Sequence, residues 1–513
     1  MALVVLTSPV HRESVSCAVR RQRGWRGSLL AVESPRQTRE RGHTMGPREQ
    51  SPRRIEASSR DELKKRFRGE LVLPGEAGYD ELRQVWNARV DRRPALIARC
   101  TGVADVMAAL GFARERGLPL TVRGGGHDVA GNGVLDDGMV LDMRPMKGVR
   151  VDPVRRVARA QAGLTWGELE HDTEAFGLFP VGGQCSTTGI VGVTLGGGLS
   201  SLSRIRGHGV DNVLSIDLVT ADGRFVTASE TENPELFWGL RGGGGNFGVV
   251  TELELRLYPV PDIVSGLMAW PMDRAEEVLR LFRDQCATAP DALLLQLLSW
   301  VFPPGMGLPD ELVGQAGIAL MPVFHGSAES AATTWLAPWR ALKPALDGVG
   351  PMPYHTLQHL FDGMLALRLR QYQRCEFLTG LPDEAIEVFA RFSRELTSPM
   401  SIVEMVNFNG GVVHRVPSDA TAVARRDAHL FLAIQSAWSE PGEDERHIAW
   451  TRSLWEAMRP FSAGGGHPNF LEGDEPKERL VDYFGREKHE RLRALKRTWD
   501  PENVFHRNKN IEP

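Results

Sequence analysis

Three glycine-rich segments crowd the stretch between Arg123 and Gly248: Arg123-Gly-Gly-Gly-His127-Asp-Val-Ala-Gly131, Gly182-Gly-Gln-Cys185-Ser-Thr-Thr-Gly189-Ile-Val-Gly192-Val-Thr-Leu-Gly196-Gly-Gly198, and Arg241-Gly-Gly-Gly-Gly245-Asn-Phe-Gly248. No other feature limits the fold as strongly. Glycine lets the backbone take positive φ and lets successive N–H groups converge on an anion with no side chain in the way. One such cluster is more often a tight surface turn. Three of them, the first directly after a strand-like run at 118–122, point to a cradle for phosphate or pyrophosphate.

The flanking text supplies a scaffold. Residues 94–100 read as a strand, and 102–116 carry Val103, Val106, Met107, Leu110 and Ala113 at helical spacing; with 118–122 they form a β-α-β unit. Strand-like runs follow at 139–143 and 156–162. Thr165-Trp-Gly-Glu168 is a capping box that opens a helix ending near Gly177. Ala221-Asp222-Gly223 is a hairpin turn between strands at 213–220 and 225–228, and 247–258 is a strand closed by Pro259. After Pro261 glycine thins out, and helices at 273–287, 329–342, 383–395 and 444–459 alternate with strands at 293–301, 316–323, 401–407 and 429–438. An amphipathic helix at 487–498 stops at Asp500-Pro501. The expected class is α+β, with an antiparallel sheet in the second half.

Charge and cysteine usage exclude several functions. The 61 Lys and Arg residues against 65 Asp and Glu leave a net charge of −4, too little for an electrostatic grip on nucleic acid. The balance is uneven: residues 1–54 hold 11 Arg, no Lys and 4 acidic residues, so they carry +7 and the rest carries −11. Residues 1–57 are expected to be a disordered basic extension. Met45 stands near the start of patterned sequence, which makes 1–44 readable as an over-extended translation start, with a nucleic-acid or targeting arm as the alternative. Cys17, Cys100, Cys185, Cys286 and Cys375 are odd in number and contain no CxxC pair, so neither a disulfide framework nor a metal site is expected. The absence of a long apolar run and of a full leader pattern makes a soluble, cytoplasmic protein without a membrane partner the expectation.

Gly243-Gly-Gly245-Asn-Phe-Gly248 matches GxGxxG but precedes a strand instead of joining a strand to a helix, and no acidic ribose ligand follows at the usual distance. A nicotinamide dehydrogenase is therefore the weaker alternative. Walker A, HExxH and GxSxG patterns do not occur.

From about residue 70 to the C-terminus the chain resembles the FAD-linked oxidases with a flavin domain of the p-cresol methylhydroxylase and vanillyl-alcohol oxidase type, specifically the berberine-bridge-enzyme-like group. The resemblance rests on RGGGHDVAG (123–131), GIVGVTLGGG (189–198), DNVLSIDLVTADG (211–223), LFWGLRGGGGNFGVV (236–250), YFG (483–485) and LRALKRTWDPENVF (492–505). It implies a two-domain flavoprotein: a FAD domain over 58–260, a substrate domain over 261–469, and a return of 470–513 to the first. The reaction it implies is hydride transfer from an alcohol, sugar or secondary metabolite to FAD, with reoxidation by O2 giving hydrogen peroxide, in a monomer or homodimer. A flavin dehydrogenase using another acceptor and a non-catalytic flavin- or metabolite-binding protein are the alternatives.

Site residues follow from the same resemblance. His127 stands where relatives bond the flavin 8α-methyl group, and Cys185 where some bond a second position of the ring. Arg123, Gly124, Gly125, Gly126, Asp128, Gly131, Thr188, Gly189, Gly192, Gly196, Gly197, Gly248, Val249 and Val250 are expected along the cofactor, Thr188 near the position that governs oxygen access. Asn469 keeps the Asn of a Tyr-x-Asn motif while His467 replaces its Tyr, which makes His467 the first candidate base, since imidazole titrates near neutrality. Tyr372 is the second. Gln435, between the small Ala433 and Ala437 on its strand face, either lines the pocket or packs within a satisfied sheet.

Overall fold

The first sheet explains how the leading glycine cluster is delivered. In the computed structural model, which describes residues 55–365, 368–408 and 410–513, strands Leu96–Arg99 and Leu120–Arg123 both pair in parallel with Met139–Asp142, which lies between them, and Glu70–Val72 closes the far edge. The expected β-α-β unit therefore exists with one strand inserted at its centre. Helix Val103–Glu115 covers the sheet through Val106, Ala109, Leu110 and Ala113, which pack on Leu96, Ala98 and Leu141. The chain leaves the end of Leu120–Arg123 directly into Gly124. The expected basic extension falls, up to residue 54, outside the described residues.

A second, antiparallel sheet runs in the order Val149–Asp152, Val157–Gln161, Val249–Pro259, Val213–Val219, Phe225–Ser229, with Leu178–Pro180 paired to the far end of Val249–Pro259. The capping box is present: the Thr165 N–H donates to Glu168 Oε2 at 2.8 Å and the Glu168 N–H to Thr165 Oγ1 at 3.5 Å, opening helix Trp166–Glu174.

The third sheet has nine strands, whose main path runs Leu346–Asp347, Met268–Pro271, Ala316–His325, Leu293–Val301, Ile402–Val406, Leu430–Trp438, Arg370–Leu378. Period-two alternation gives it two faces. Leu295, Leu297, Val403, Met405, Leu432 and Ile434 pack under helices Ala275–Thr288, Asp383–Arg394 and Asp444–Met458. Leu294, Val406, Phe431, Ala433, Cys375 and Phe377 share the other core with Trp166, Leu195 and Phe247 of the glycine-rich half. That second face carries the site. Strand Arg370–Leu378 has no counterpart among the expected strands, because Arg374 and Glu376 interrupt its apolar pattern. Both are buried, Arg374 against Asp474 at 2.8 Å and Glu376 against Arg479 at 3.0 Å. The helix expected at 329–342 is broken into Ala328–Ala331, a π-helical Ala332–Leu336 and Ala337–Ala341, with Pro338 in the last piece.

The C-terminus closes back on the third glycine cluster. Lys496 of helix Arg486–Trp499 donates to Asp500 Oδ2 at 2.7 Å, to the Asn246 carbonyl at 2.8 Å and to the Phe505 carbonyl at 3.0 Å, with Lys496 and Asp500 both 0% exposed. Asn246 in turn accepts the Ile511 N–H at 3.0 Å. Among the described residues, no helix is long and apolar enough to cross a membrane, and no cluster of three or more His, Cys, Asp or Glu is placed to hold a metal ion.

Candidate functional site

The loop after Leu120–Arg123 is built to receive an anion. None of the N–H groups of Gly124, Gly125, Gly126, His127 and Asp128 donates to an acceptor among the described residues. Successive free N–H groups in a loop with a positive-φ member, here Gly126 at +76°, make an anion-binding nest. The loop is held from behind by a second glycine cluster: a Cβ on Gly125 would strike the backbone of Gly189, and one on Gly189 would strike Gly125. These two glycines are required by loop-on-loop contact. Gly192 faces open space instead, and a Cβ on Gly124 would only touch the Ala162 carbonyl at 3.4 Å.

The remaining cofactor candidates divide. Arg123 runs alongside Gly126 and Gly133, 1% exposed, with Asp142 at 3.4 Å and the Gln84 carbonyl at 3.2 Å. Asp128 accepts the Asn132 N–H at 3.1 Å, and Gly131, φ +67°, packs on Val90. Thr188 donates its N–H to the Cys185 carbonyl at 3.2 Å and accepts from the Trp166 N–H at 2.9 Å, which shapes the loop carrying Cys185. Gly196 and Gly197 carry the turn at 467–469: a Cβ on Gly196 would strike the Asn469 amide, and one on Gly197 would stand 2.9 Å from His467 Nε2. Asn469 Nδ2 donates to the Val193 carbonyl at 2.9 Å. Gly248, Val249 and Val250 sit within or against the second sheet and are buried in it.

His127 and Cys185 have contrasting environments. The His127 ring stacks on Trp86, centroids 5.1 Å apart and planes 18° apart, and burial pushes its pKa down to about 4, so the imidazole is neutral at physiological pH. Burial pushes the Cys185 thiol up to about 12, reinforced by the negative charges of Glu404, Asp362 and Glu170. The loop around Cys185 is pinned: Ser186 donates to Asp362 at 2.7 Å, and Gln358 bridges Glu170 Oε1 at 2.7 Å and the Gly183 carbonyl at 3.1 Å.

Glu404 is a candidate functional group that sequence reasoning missed. It lies in the middle of Ile402–Val406 on the sheet face that looks toward the glycine loops, in register with Leu298 on one side and Ala433 on the other. Its carboxyl accepts from Gln296 Nε2 at 2.7 Å and Gln435 Nε2 at 3.4 Å, and burial pushes its pKa up to about 7. A buried carboxyl held by neutral amides and titrating near neutrality is suited to proton transfer. The available signal was a lone acid inside an apolar five-residue strand. Gln435 belongs to the same polar group, in register with Gln373.

Comparison with known proteins places this arrangement. A family model described as FAD binding domain matches residues 94–229, and one described as berberine and berberine like matches 468–512. The chain is 31% identical over 462 residues to (R)-6-hydroxynicotine oxidase of Paenarthrobacter nicotinovorans, covering 87% of this chain and 97% of that one. The chain belongs to the berberine-bridge-like FAD-linked oxidoreductases. A crystal structure of 6-hydroxy-D-nicotine oxidase from Arthrobacter nicotinovorans superposes with a TM-score of 0.75 at 27% identity, covering 87% of this chain and 98% of the other. Xylooligosaccharide oxidase from Myceliophthora thermophila, in complex with xylobiose, shares the fold with a TM-score of 0.78 at 24% identity, covering 89% and 99%. The run of N–H groups at 124–128 has the chemistry to hold an anionic group such as a pyrophosphate, and Gly192 faces open space.

The two sequence-expected bases of this oxidoreductase stand apart from Glu404. His467 is 2% exposed and ringed by Phe377, Phe431, Phe470 and Tyr483 at centroid distances of 5.7 to 6.3 Å. Its Nδ1 accepts the Asn469 N–H at 3.3 Å, and burial, with a smaller effect of nearby His208, pushes its pKa down to about 3. Such an imidazole is neutral and only weakly basic at physiological pH, and it packs as a flat polar wedge. Tyr372 lies on the helix-covered face of its strand, opposite Gln373 and Cys375. It accepts from Arg452 Nε at 2.8 Å and donates to Asp474 Oδ2 at 2.9 Å, under the guanidinium groups of Arg374 and Arg89. Tyr372→Phe is expected to slow anaerobic flavin reduction by less than about threefold, against roughly 10²-fold or more for loss of a true base. Stopped-flow absorbance distinguishes the two.

Proposed function

We propose that this chain is a FAD-dependent oxidase that removes a hydride from the C–H beside a hydroxyl or amine of a small, largely apolar, ring-bearing substrate and passes the electrons to O2, giving hydrogen peroxide. Glu404 carries this reading: one buried carboxyl, poised near neutrality, on the sheet face opposite the glycine loops. Glu404 would take the hydroxyl or ammonium proton, while Gln296 and Gln435 hold the carboxyl in place. Bound FAD supplies the electron-accepting chemistry. The N–H groups of 124–128 would hold its pyrophosphate, His127 would be its first covalent anchor and Cys185 the second. We place the flavin domain at 58–260 with 470–513, and the substrate domain at 261–469.

Substrate size and polarity follow from the platform around Glu404. Leu298 and Ala433 stand in register with Glu404, and the next paired row on the same face is Trp300, Ile402, Gln435 and Gln373. Few polar groups among apolar walls favour a ring with one or two hydrogen-bonding substituents over a polyol. The relative named for (R)-6-hydroxynicotine supports cyclic amines as the first compounds to test.

The test is anaerobic bleaching of the purified yellow protein across cyclic amines, aryl alcohols and sugars, followed by admission of air. Bleaching by an amine or aryl alcohol with peroxide formed on reoxidation is expected. Bleaching without peroxide would make the protein a dehydrogenase with another acceptor, and no bleaching by any compound would favour a non-catalytic flavin protein. With a base of pKa about 7, the bleaching rate should rise with pH, about tenfold per unit below that value, and level off above it, because only the ionised carboxyl accepts a proton. A rate flat from pH 5 to about pH 8 would remove Glu404 from the mechanism.

A further inference from the structure

We propose that Trp86 is a positioning residue for flavin attachment: its indole fixes the plane of the His127 imidazole so that the nitrogen edge, and not the ring face, meets the flavin methyl carbon. The inference rests on the reading of His127 as the attachment site. It stands on the way residues 85–90 clamp the loop. Trp86 donates its N–H to the Gly126 carbonyl at 3.0 Å, and Val85 lies beside Gly126. Asn87 Nδ2 donates to the Val129 carbonyl at 2.8 Å, and Asn87 Oδ1 accepts the Gln371 N–H at 3.0 Å. Val90 fills the space against Gly131. Between these fixed points the indole lies nearly parallel to the imidazole.

An imidazole lone pair lies in the plane of the ring, so a stacked partner covers a face without blocking the nucleophilic direction. It also removes rotation about the Cβ–Cγ bond, which would otherwise swing the nitrogen out of line. The stack keeps water from one face of the ring, which holds it neutral and nucleophilic. The indole Nε1–H is itself buried with no acceptor among the described residues, a donor that a bound group can satisfy. In the attachment, a C–N bond forms between imidazole and methyl carbon as the imidazole N–H and one methyl C–H are lost. The two hydrogens and their electron pair are passed on to dioxygen, which is the oxidant and leaves as hydrogen peroxide.

The test uses the full chain with Cys185→Ser, so that only the His127 link is measured, and scores flavin that remains with acid-precipitated protein against flavin bound before precipitation. Trp86→Met should bind flavin within about twofold of the parent while its covalent fraction falls at least about tenfold, the loss expected when a reacting group is no longer held in line. Trp86→Leu, also without a flat ring, is the second variant and should behave alike. Trp86→Phe, which keeps a ring to stack on, should retain most of the covalent flavin. Covalent loading of Trp86→Met or Trp86→Leu equal to the parent would overturn the proposal, as would loss in Trp86→Phe as deep as in Trp86→Met. His127→Ala in the same background separates the two layers: if it still carries covalent flavin, the attachment reading itself fails, whatever Trp86 does.

Discussion

Glu404→Gln is expected to slow anaerobic flavin reduction by about 10²- to 10⁴-fold, the range for removal of a positioned general base. The substitution is nearly isosteric, and the new amide oxygen can still accept from Gln296, whose Nε2 now stands 2.7 Å from Glu404 Oε1. The fold and the flavin content should therefore hold. What is lost is the group that can take a proton, so the pH-dependent limb below about pH 7 should vanish with the rate. KM should move far less than kcat, because the amide keeps the shape of the site. His467→Ala should not imitate this pattern: an imidazole with its pKa at about 3 is too weak a base to hold a transferred proton at neutral pH, and its removal leaves a hole against Gly197 and four aromatic rings. A Glu404→Gln enzyme that reduces its flavin within threefold of wild type would return the search for a base to other residues.

Lys496→Met should cost about 3–5 kcal/mol of stability, as removal of one member of a buried ion pair does. Its ammonium is wholly buried and fully used: Asp500, Asn246 and Phe505 supply an acceptor each. Asp500 is equally committed, accepting the Val504 N–H at 2.7 Å and the Phe505 N–H at 2.9 Å besides the lysine. Deleting the ammonium leaves a carboxylate without a counter-ion in the interior and unties the Asn246 carbonyl at the third glycine cluster. Lys496→Met combined with Asp500→Asn should recover part of the loss, since the orphaned charge is gone; the Val504 and Phe505 N–H groups bond different oxygens, so the single amide oxygen keeps one of them and the recovery stays partial. Denaturant unfolding followed by tryptophan fluorescence measures both variants. A single-variant loss below about 1 kcal/mol would place this pair with exposed ion pairs.

These cases mark what the amino-acid sequence discloses and what it hides. Local signals were legible: the capping box at Thr165 and Glu168, the hairpin at 221–223, the helix at 103–115 and the strand that runs straight into the glycines at 124–126 all depend on residues within a few positions of one another. Gly196 and Gly197 look the same in sequence as Gly124 and Gly125, yet they carry the turn at 467–469, more than 260 residues away. Glycine density alone does not separate close approach of the chain to itself from close approach to a ligand. Strand Arg370–Leu378 was hidden by Arg374 and Glu376, charges that read as solvated until Asp474, Glu475 and Arg479 are seen beside them. Proton-transfer candidates were the least legible. His467 was drawn in by residue type and motif position, but its pKa is set by Phe377, Phe431 and Tyr483 from three separate elements. Glu404 was passed over because its amide partners, Gln296 and Gln435, lie on other strands.

The mass of the acid-denatured, intact polypeptide tests the central claim most directly. A chain heavier than its sequence by one FAD is predicted, with the added mass kept in His127→Ala and in Cys185→Ser, each through the other link, and lost in the double variant. A wild-type chain at the mass of the polypeptide alone, with its yellow colour left in the supernatant, would contradict attachment at both residues.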